Sequence, residues 1–452
     1  MIFDKILQIY QKYYICIPCL GRMFSLLASQ TTNQTRGESL LLSLTMENHK
    51  KYLSNNIQDQ KTSIKNLKVL AEYARFSPAQ YVLKNEGIKF KTDYWDQPCH
   101  LCNNIFLEIE KFVNKGISLV EGIEFNNFLV GTTPDSQIIN QEDKFKAEFT
   151  LLEAESFKSH FNRVVGKFLT DALNTPPEFV NPDLLIIYHI DYNSFDIKLK
   201  SKSLFIYGRY KKLIRGIPQT HWFCKSCMGK GCDLCNYTGK QYLTSVEELI
   251  NPAFIKESGA IDSKFHGAGR EDIDVRMLGE GRPFIIELRN PKIRKLDLEK
   301  IKRKTNQKNK KKVKIQELRY STKKEVIKLK SGAKNTKKVY KSLVKSTEKL
   351  SKEKFKEKLI ELKSIFENQE IQQRTPNRVS HRRADKIRGK QVYKIDGKFV
   401  KSNLFEFVIQ TQGGTYIKEL ISGDNGRTSP SFSEVFNISL VCEELDVLEI
   451  SI

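Results

Sequence analysis

The chain has 452 residues, 39% of them hydrophobic and 29% charged, which is enough apolar material for two or three packed domains and excludes a wholly disordered protein. Lys and Arg number 76 against 53 Asp and Glu, a net charge of +23. A surplus of that size points to a polyanionic partner, either nucleic acid or an acidic membrane face.

The N-terminal stretch MIFDKILQIYQKYYICIPCLGRMFSLL is interrupted by Asp4, Lys5, Lys12 and Arg22, so it reads as an amphipathic helix rather than a signal peptide. No apolar run approaches the ~18 residues of a bilayer span. The expectation is a monomer with no membrane partner, cytoplasmic or, for a eukaryotic chain this basic, nuclear. Residues 1–110 read as helical with polar connectors. Strand-like patches follow over 118–145, then an amphipathic helix over 146–175 with Phe157, Phe161, Val165 and Phe168 at core-packing spacing. PDLLIIYHIDYNSFDIKL predicts two strands joined by a turn over Asp191–Ser194, with His189 in the strand ladder. SLFIYGRYKKLIRGIPQT reads as a strand followed by a basic loop. Its Arg209, Lys211, Lys212 and Arg215, interleaved with Tyr207 and Tyr210, suit either RNA contact or a solvated edge, and the net charge favours RNA. Residues 292–345 are Lys-dominated and suggest an insertion loop or charged hairpin, close to low complexity over Lys308–Lys314. A Lys/Glu helix is expected over 346–370, and β patterns with one helix over 391–452.

Eight of the nine cysteines form CxxC pairs: Cys16/Cys19, Cys99/Cys102, Cys224/Cys227 and Cys232/Cys235. A secreted disulfide framework is not spaced this way. Two thiolates on a tight knuckle take adjacent corners of a tetrahedral zinc site, and a second knuckle closes it. CKSCMGKGCDLC supplies both knuckles of one site, and the two N-terminal pairs could close another. Buried thiols or redox CxxC motifs are the bland alternative. A closed sulfur site leaves no position for water, so both metals are expected to be structural. His100 would exceed four-coordination and is expected at the surface.

The segment KFHGAGREDIDVRMLGEGRPFIIELRNPK (264–292) carries the chemistry. VRMLGEGRPFIIEL suggests a hairpin about Gly279 and Gly281, and the loop before it places Arg270 two residues before Asp272. A carboxylate beside a cation stays ionised and can serve as nucleophile or base; the bland reading is a turn with a salt bridge.

GRED resembles the catalytic motif of pseudouridine synthases. GREDIDVRMLGEGRPF, IYGRYKKLIRGIPQTHW, the CKSCMGKGCDLCNYTGK region, QQRTPNRVSHRRAD and GGTYIKELISGDNGRTSPS together resemble the archaeal and eukaryotic family that modifies uridines 54 and 55 in the TΨC loop of tRNA. The resemblance implies a tRNA partner, structural zinc and no catalytic cofactor. It implies Asp272 as the catalytic aspartate and Tyr340 as the tyrosine that stacks on the target base and assists proton loss at C5. It further implies Tyr416 as a second substrate-contacting tyrosine, with Ile417 and Lys418 as apolar and basic pocket positions, Lys418 pairing with the aspartate. Three routes fit such an aspartate: attack at C1′, attack at C6, or removal of the 2′-proton. Arg374, Arg378, His381, Arg382 and Arg383 form a second basic cluster that suits fixing the tRNA stem or orienting the catalytic loop, with Arg378 and Arg382 as RNA contacts; the bland reading is internal pairing, for example with Asp385.

The fold class expected is α+β. A zinc-binding helical subdomain (1–110), a THUMP-like RNA-binding module (111–215) and a second four-cysteine knuckle (216–240) precede a catalytic domain (241–452) built on a mixed, largely antiparallel sheet. The THUMP module and catalytic core rest on the resemblance; periodicity alone gives α+β. The competing readings are a non-catalytic RNA-binding zinc protein and a THUMP-bearing thiouridine synthase. The latter lacks a GxxxxGK[ST] or SGGxDS-like run.

Overall fold

The computed structural model describes residues 2–93, 96–332 and 336–451, with only the main chain of Arg382. Contacts divide the chain into two compact units, Met1–Lys202 and Ser203–Ile452. No helix among the described residues is long and apolar enough to cross a membrane.

The first unit is helical up to Val120, as its periodicity suggests. Ser, Thr and Asn caps start its longer helices: Thr32 accepts from the Thr35 amide, and Asn56 from Gln58 and Asp59. Strands β1 (Phe128–Pro134), β2 (Leu184–Ile190) and β3 (Phe195–Ser201) form one small sheet, with β1 parallel to β2 and β2 antiparallel to β3. The predicted Asp191–Ser194 turn joins β2 and β3. The strand-like reading of 118–145 holds only for β1, since Ser136–Glu148 is a helix capped by Asp135.

The second unit is one ten-stranded sheet with helices packed against it. Its strands are β4 (Leu204–Lys212), β5 (Asp262–Gly267), β6 (Arg276–Arg289), β7 (Val313–Ser321), β8 (Lys337–Ser346), β9 (Gln369–Arg374), β10 (Ile387–Lys401), β11 (Leu404–Gln412), β12 (Thr428–Ser429) and β13 (Leu440–Ser451). They lie in the order β12-β9-β10-β11-β8-β13-β6-β4-β7, with β5 beside β6. All neighbours are antiparallel except β13 and β6, which meet in parallel at Arg276 and Met277. The fold is therefore α+β on a mixed, largely antiparallel sheet.

Three expectations need correction. The basic stretch after Tyr207 is not a loop: β4 runs to Lys212 between β6 and β7, so the break between units falls after Lys202 rather than at 215. The Lys-rich stretch is not a loop either. Helix Leu298–Lys308 buries Ile301, and β7 buries Val313 and Ile315, so a sparse apolar face suffices to dock both elements. The third is the hairpin expected about Gly279 and Gly281. Here β6 is one continuous strand with a large bulge: from Tyr210↔Arg282 to Lys212↔Met277, β4 advances two residues while β6 advances five. Gly279 and Gly281 take φ of +51° and +76° there. A Cβ on Gly279 would lie 1.6 Å from the Leu448 carbonyl oxygen on β13.

Gly279→Ala is thus expected to destabilise the protein by roughly 2 kcal/mol or more, from strained φ plus collision with backbone. Urea unfolding checks this; a change below about 0.5 kcal/mol would contradict the bulge.

A candidate active site around Asp272

The loop from β5 to β6 carries the GRED residues and is anchored from beneath by Glu271. Its carboxylate is fully buried and accepts from Tyr210 Oη (2.8 and 3.0 Å) and Arg282 Nε (2.8 Å), with Lys212 Nζ at 3.9 Å. The same partners reach the loop's main chain. Arg282 Nη1 donates to the Ala268 carbonyl at 2.8 Å. Lys212 Nζ donates to the carbonyls of Asp272 (3.0 Å), Ile273 (3.1 Å) and Ile217 (3.0 Å). Gln219 Nε2 ties Tyr210 Oη to the Gly269 carbonyl. Lys212 is fully buried, which overturns its expected role in RNA contact. Arg209 and Arg215 also act internally: Arg209 holds the Glu280 and Gly281 carbonyls, and Arg215 those of Asp274 and Leu445 together with the Glu444 and Asp446 carboxylates. Lys211 remains half-exposed.

Above this base a cavity of about 340 Å³ opens. Asp272, Tyr340, Tyr416, Ile417, Lys418 and Arg270 all line it, so six residues spread over 149 positions of sequence meet in one cleft. Arg378, assigned to RNA contact from sequence, lines it as well. It comes from the short 3₁₀ segment Asn377–Arg382 between β9 and β10. Its Nη1 donates to Asp272 Oδ2 at 2.7 Å, and its Nε to Glu419 Oε1 at 2.6 Å. Burial opposes this cation, but Glu419 and then Asp272 raise its pKa above the ordinary arginine value. The expected Lys418–Asp272 pair is replaced. Lys418 bonds Asp274 instead, which holds that carboxyl below its ordinary value despite partial burial. Arg378 thus holds the loop that carries Asp272, one of the roles expected of its cluster, while about a third of its side chain stays exposed. Arg374 and Arg427, not Arg378, pair with Asp385. The side chain of Arg382 lies outside the described residues.

Tyr340 projects from β8 and is buried; burial first, and then Asp272, push its pKa up to about 12 against the opposing Arg282. Its ring is thus a buried, neutral face on the wall of the cleft. Tyr416 precedes the helix Ile417–Ser422 and is fixed by Gln373 through both main-chain groups, while Arg383 Nη1 donates to its hydroxyl at 2.8 Å. Arg270 lies over the Trp222 ring, 5.1 Å from its centroid.

Sequence reasoning missed Glu271, Arg282, Glu419 and Lys338. Glu271 had a signal, since it stands inside GRED; a charged residue between two functional ones invites a role. Lys338 lies two residues before Tyr340, hence on the same face of β8, and lines the cavity. Burial, with help from Arg282, pulls its ammonium down to about 8.

All eight CxxC cysteines converge as two groups, Cys16/Cys19/Cys99/Cys102 and Cys224/Cys227/Cys232/Cys235, each with its sulfurs within 4.8 Å of one another. Sulfur pairs stand 3.6 to 3.9 Å apart. That is far beyond a disulfide's ~2.05 Å and equals the edge of a tetrahedron with ~2.3 Å metal–sulfur bonds. Amides of Cys16, Gly231 and Gly239 point at the sulfurs of Cys99, Cys227 and Cys235 at 3.1 to 3.2 Å, as thiolates require. Arg22, fully buried beside Cys19, leaves Nε and Nη2 without a hydrogen-bond partner among the described residues, a cation facing what a four-thiolate metal centre would make anionic. Both groups fit a structural metal. No cysteine lines the cavity, as a sulfur carrier would need to. His100 is half-buried and stacks on Tyr13 rather than sitting free at the surface.

Residues 205–451 match the family model described as Pus10, C-terminal, and 112–189 match the archaeal Pus10 THUMP domain. The tRNA pseudouridine synthase Pus10 of Methanocaldococcus jannaschii is 42% identical, over 98% of this chain and 93% of that protein. That of Methanothermobacter marburgensis is 36% identical, over 96% and 95%. This chain belongs to the Pus10 family of tRNA pseudouridine synthases. Among solved structures, similarity to a chain of a Cbf5-Nop10-Gar1 complex has a TM-score of 0.28 at 18% identity, covering 45% of each chain. Within the Pus10 family's C-terminal span lie all the cavity residues described above and the second four-cysteine group.

Lys338 yields a pH test. Its charged form is penalised in the folded state, so the penalty is complete below pH 8 and fades as pH rises toward the unfolded value of about 10.4. The unfolding free energy of wild type minus that of Lys338→Met should therefore rise between pH 8 and 10, by on the order of 2 kcal/mol. A difference that does not change with pH would contradict the burial of this ammonium.

Proposed function

We propose that this protein isomerises uridine to pseudouridine at position 54, position 55 or both in the TΨC loop of tRNA, with Asp272 as the catalytic carboxylate. The observation that carries this reading is the pairing of Asp272 with Arg378 opposite buried Tyr340 in one cleft. Pseudouridine formation breaks N1–C1′, turns the uracil and joins C5 to C1′; N1 gains a proton and C5 loses one. The balance needs no oxidant and no cofactor. Each of the three possible first steps starts from the Asp272 carboxylate, and Arg378 Nη1 holds its Oδ2 at 2.7 Å.

The target must leave its stack to enter the cleft. Unstacking costs a few kcal/mol, offset by contacts to the rest of the RNA. Tyr340 and Ile417 supply an apolar floor for the extruded base, and Tyr416, held by Arg383, supplies a second aromatic contact. Glu419 keeps Arg378 from swinging away, so the cation that balances Asp272 is itself positioned. Zinc is the metal we assign to both four-cysteine groups, in a structural role.

On an unmodified tRNA transcript, Asp272→Asn should lower the pseudouridine yield by about 10³-fold or more, read by primer extension after chemical marking of pseudouridine. Undiminished product would overturn the assignment. Metal analysis should find close to two zinc ions per chain, and stripping them with a strong chelator should lower Tm. A metal-free protein of unchanged Tm would remove zinc from the account.

A further inference from the structure

The second four-cysteine group sits on the segment between β4 and helix Val246–Ser258, and its surface is unusual for a small metal knuckle. Phe223, Met228, Leu234 and Tyr237 are 61%, 73%, 83% and 73% exposed. Four large apolar side chains within fifteen residues lie in water, where the metal-binding residues alone would not require them. They belong to one small body. Phe223 bridges to Lys240, and its ring covers Gly229, where an added Cβ would come within 2.7 Å. A Cβ on Gly231 would come within 3.0 Å of the Tyr237 carbonyl, and one on Gly239 within 2.4 Å of the Gly229 carbonyl. Lys225 and Lys230 are exposed on the same knuckle. Its one carboxylate, Asp233, interacts with Tyr237.

This body adjoins the cleft. Trp222, next to Phe223, lies under the Arg270 guanidinium, and Arg270 lines the cavity with Asp272. Trp222 also packs edge-on against Tyr242 across the base of the knuckle. Exposed rings and cations beside a site that must hold an extruded base match what unpaired nucleotides recognise: aromatic faces for bases and ammonium groups for phosphates.

We infer that the second four-cysteine knuckle is an RNA-binding platform on which unpaired nucleotides flanking the target stack, with Phe223 and Tyr237 as the stacking faces and Lys225 and Lys230 on phosphates. The inference rests on the proposed tRNA substrate and adds a gripping surface that the catalytic residues do not provide. A metal held by Cys224, Cys227, Cys232 and Cys235 would keep the platform rigid.

The test is binding of unmodified tRNA transcript by the full-length protein carrying Asp272→Asn, so that turnover does not enter. Adding Phe223→Ala and Tyr237→Ala should weaken Kd about tenfold or more, since each lost base–aromatic stack is worth roughly 1–3 kcal/mol. Phe223→Trp with Tyr237→Phe should restore wild-type affinity. Affinity for a fully paired RNA duplex should stay within about twofold, because a duplex offers no free base face. Metal content measured on every variant reports whether the knuckle is intact. A tRNA Kd unchanged in the metal-replete alanine variant would overturn the inference. So would equal losses for tRNA and duplex, or a wild-type dimer that the alanine variant dissolves. Failure of the proposed function shows separately, as wild-type protein that makes no pseudouridine.

Discussion

A carboxylate that never reaches solvent organises the candidate site. Glu271 is buried, and a buried charge persists only when paired and hydrogen-bonded. Tyr210, Arg282 and Lys212 meet that need. The remaining donors of Arg282 and Lys212 reach main-chain carbonyls of the loop on either side of Glu271, while the Tyr210 hydroxyl accepts from Gln219, which donates to the Gly269 carbonyl. Burying one acid thus fixes the backbone at Ala268, Asp272 and Ile273, and the side chain of Asp272 is presented to the cleft as a result. The bulge at Gly279 and Gly281 belongs to the same constraint, since it shifts the register of β6 just before Arg282.

Two tiers of electrostatics follow. The lower tier is dry: Glu271, Arg282, Lys212 and Tyr210 are all buried. The upper tier is wetter, with Asp272 and Arg378 each about one-third exposed. Exposure weakens an ion pair in water, so the proposed catalytic carboxylate could part from its partner more easily than the groups below it. Glu419, almost fully buried, holds Arg378 in place between the tiers. An extruded base entering between Tyr340 and Tyr416 would displace water from the upper tier and strengthen its charges without rearranging the lower one.

The sequence made much of this legible, and its failures have physical causes. The four-cysteine groups were readable because metal geometry imposes spacing on a short motif. Asp272, Tyr340 and Tyr416 were readable through local phrases that resemble a family, and one cavity contains them. Charge misled elsewhere. Lys212 and Arg215 looked like RNA contacts because basic residues among tyrosines are usually wet, but here they close carbonyls and carboxylates within the fold. Nothing local distinguishes a lysine that faces phosphate from one that faces its own backbone. The Lys418-to-Arg378 exchange fails for a similar reason: partners 106 residues apart are chosen by tertiary packing, not by the motif. A glycine bulge and a hairpin share a sequence signature because both use positive φ.

Lys212→Met separates these ideas most directly, since it keeps the side chain's bulk and removes only its hydrogen bonds and charge. Amide hydrogen exchange over residues 268–275, measured alongside the single-turnover rate on tRNA, reads the loop and the chemistry together. The account predicts faster exchange confined to that loop and a rate lowered at least about tenfold, the equivalent of ~1.4 kcal/mol. Unchanged protection with an unchanged rate would show that the buried network does not hold Asp272 in place.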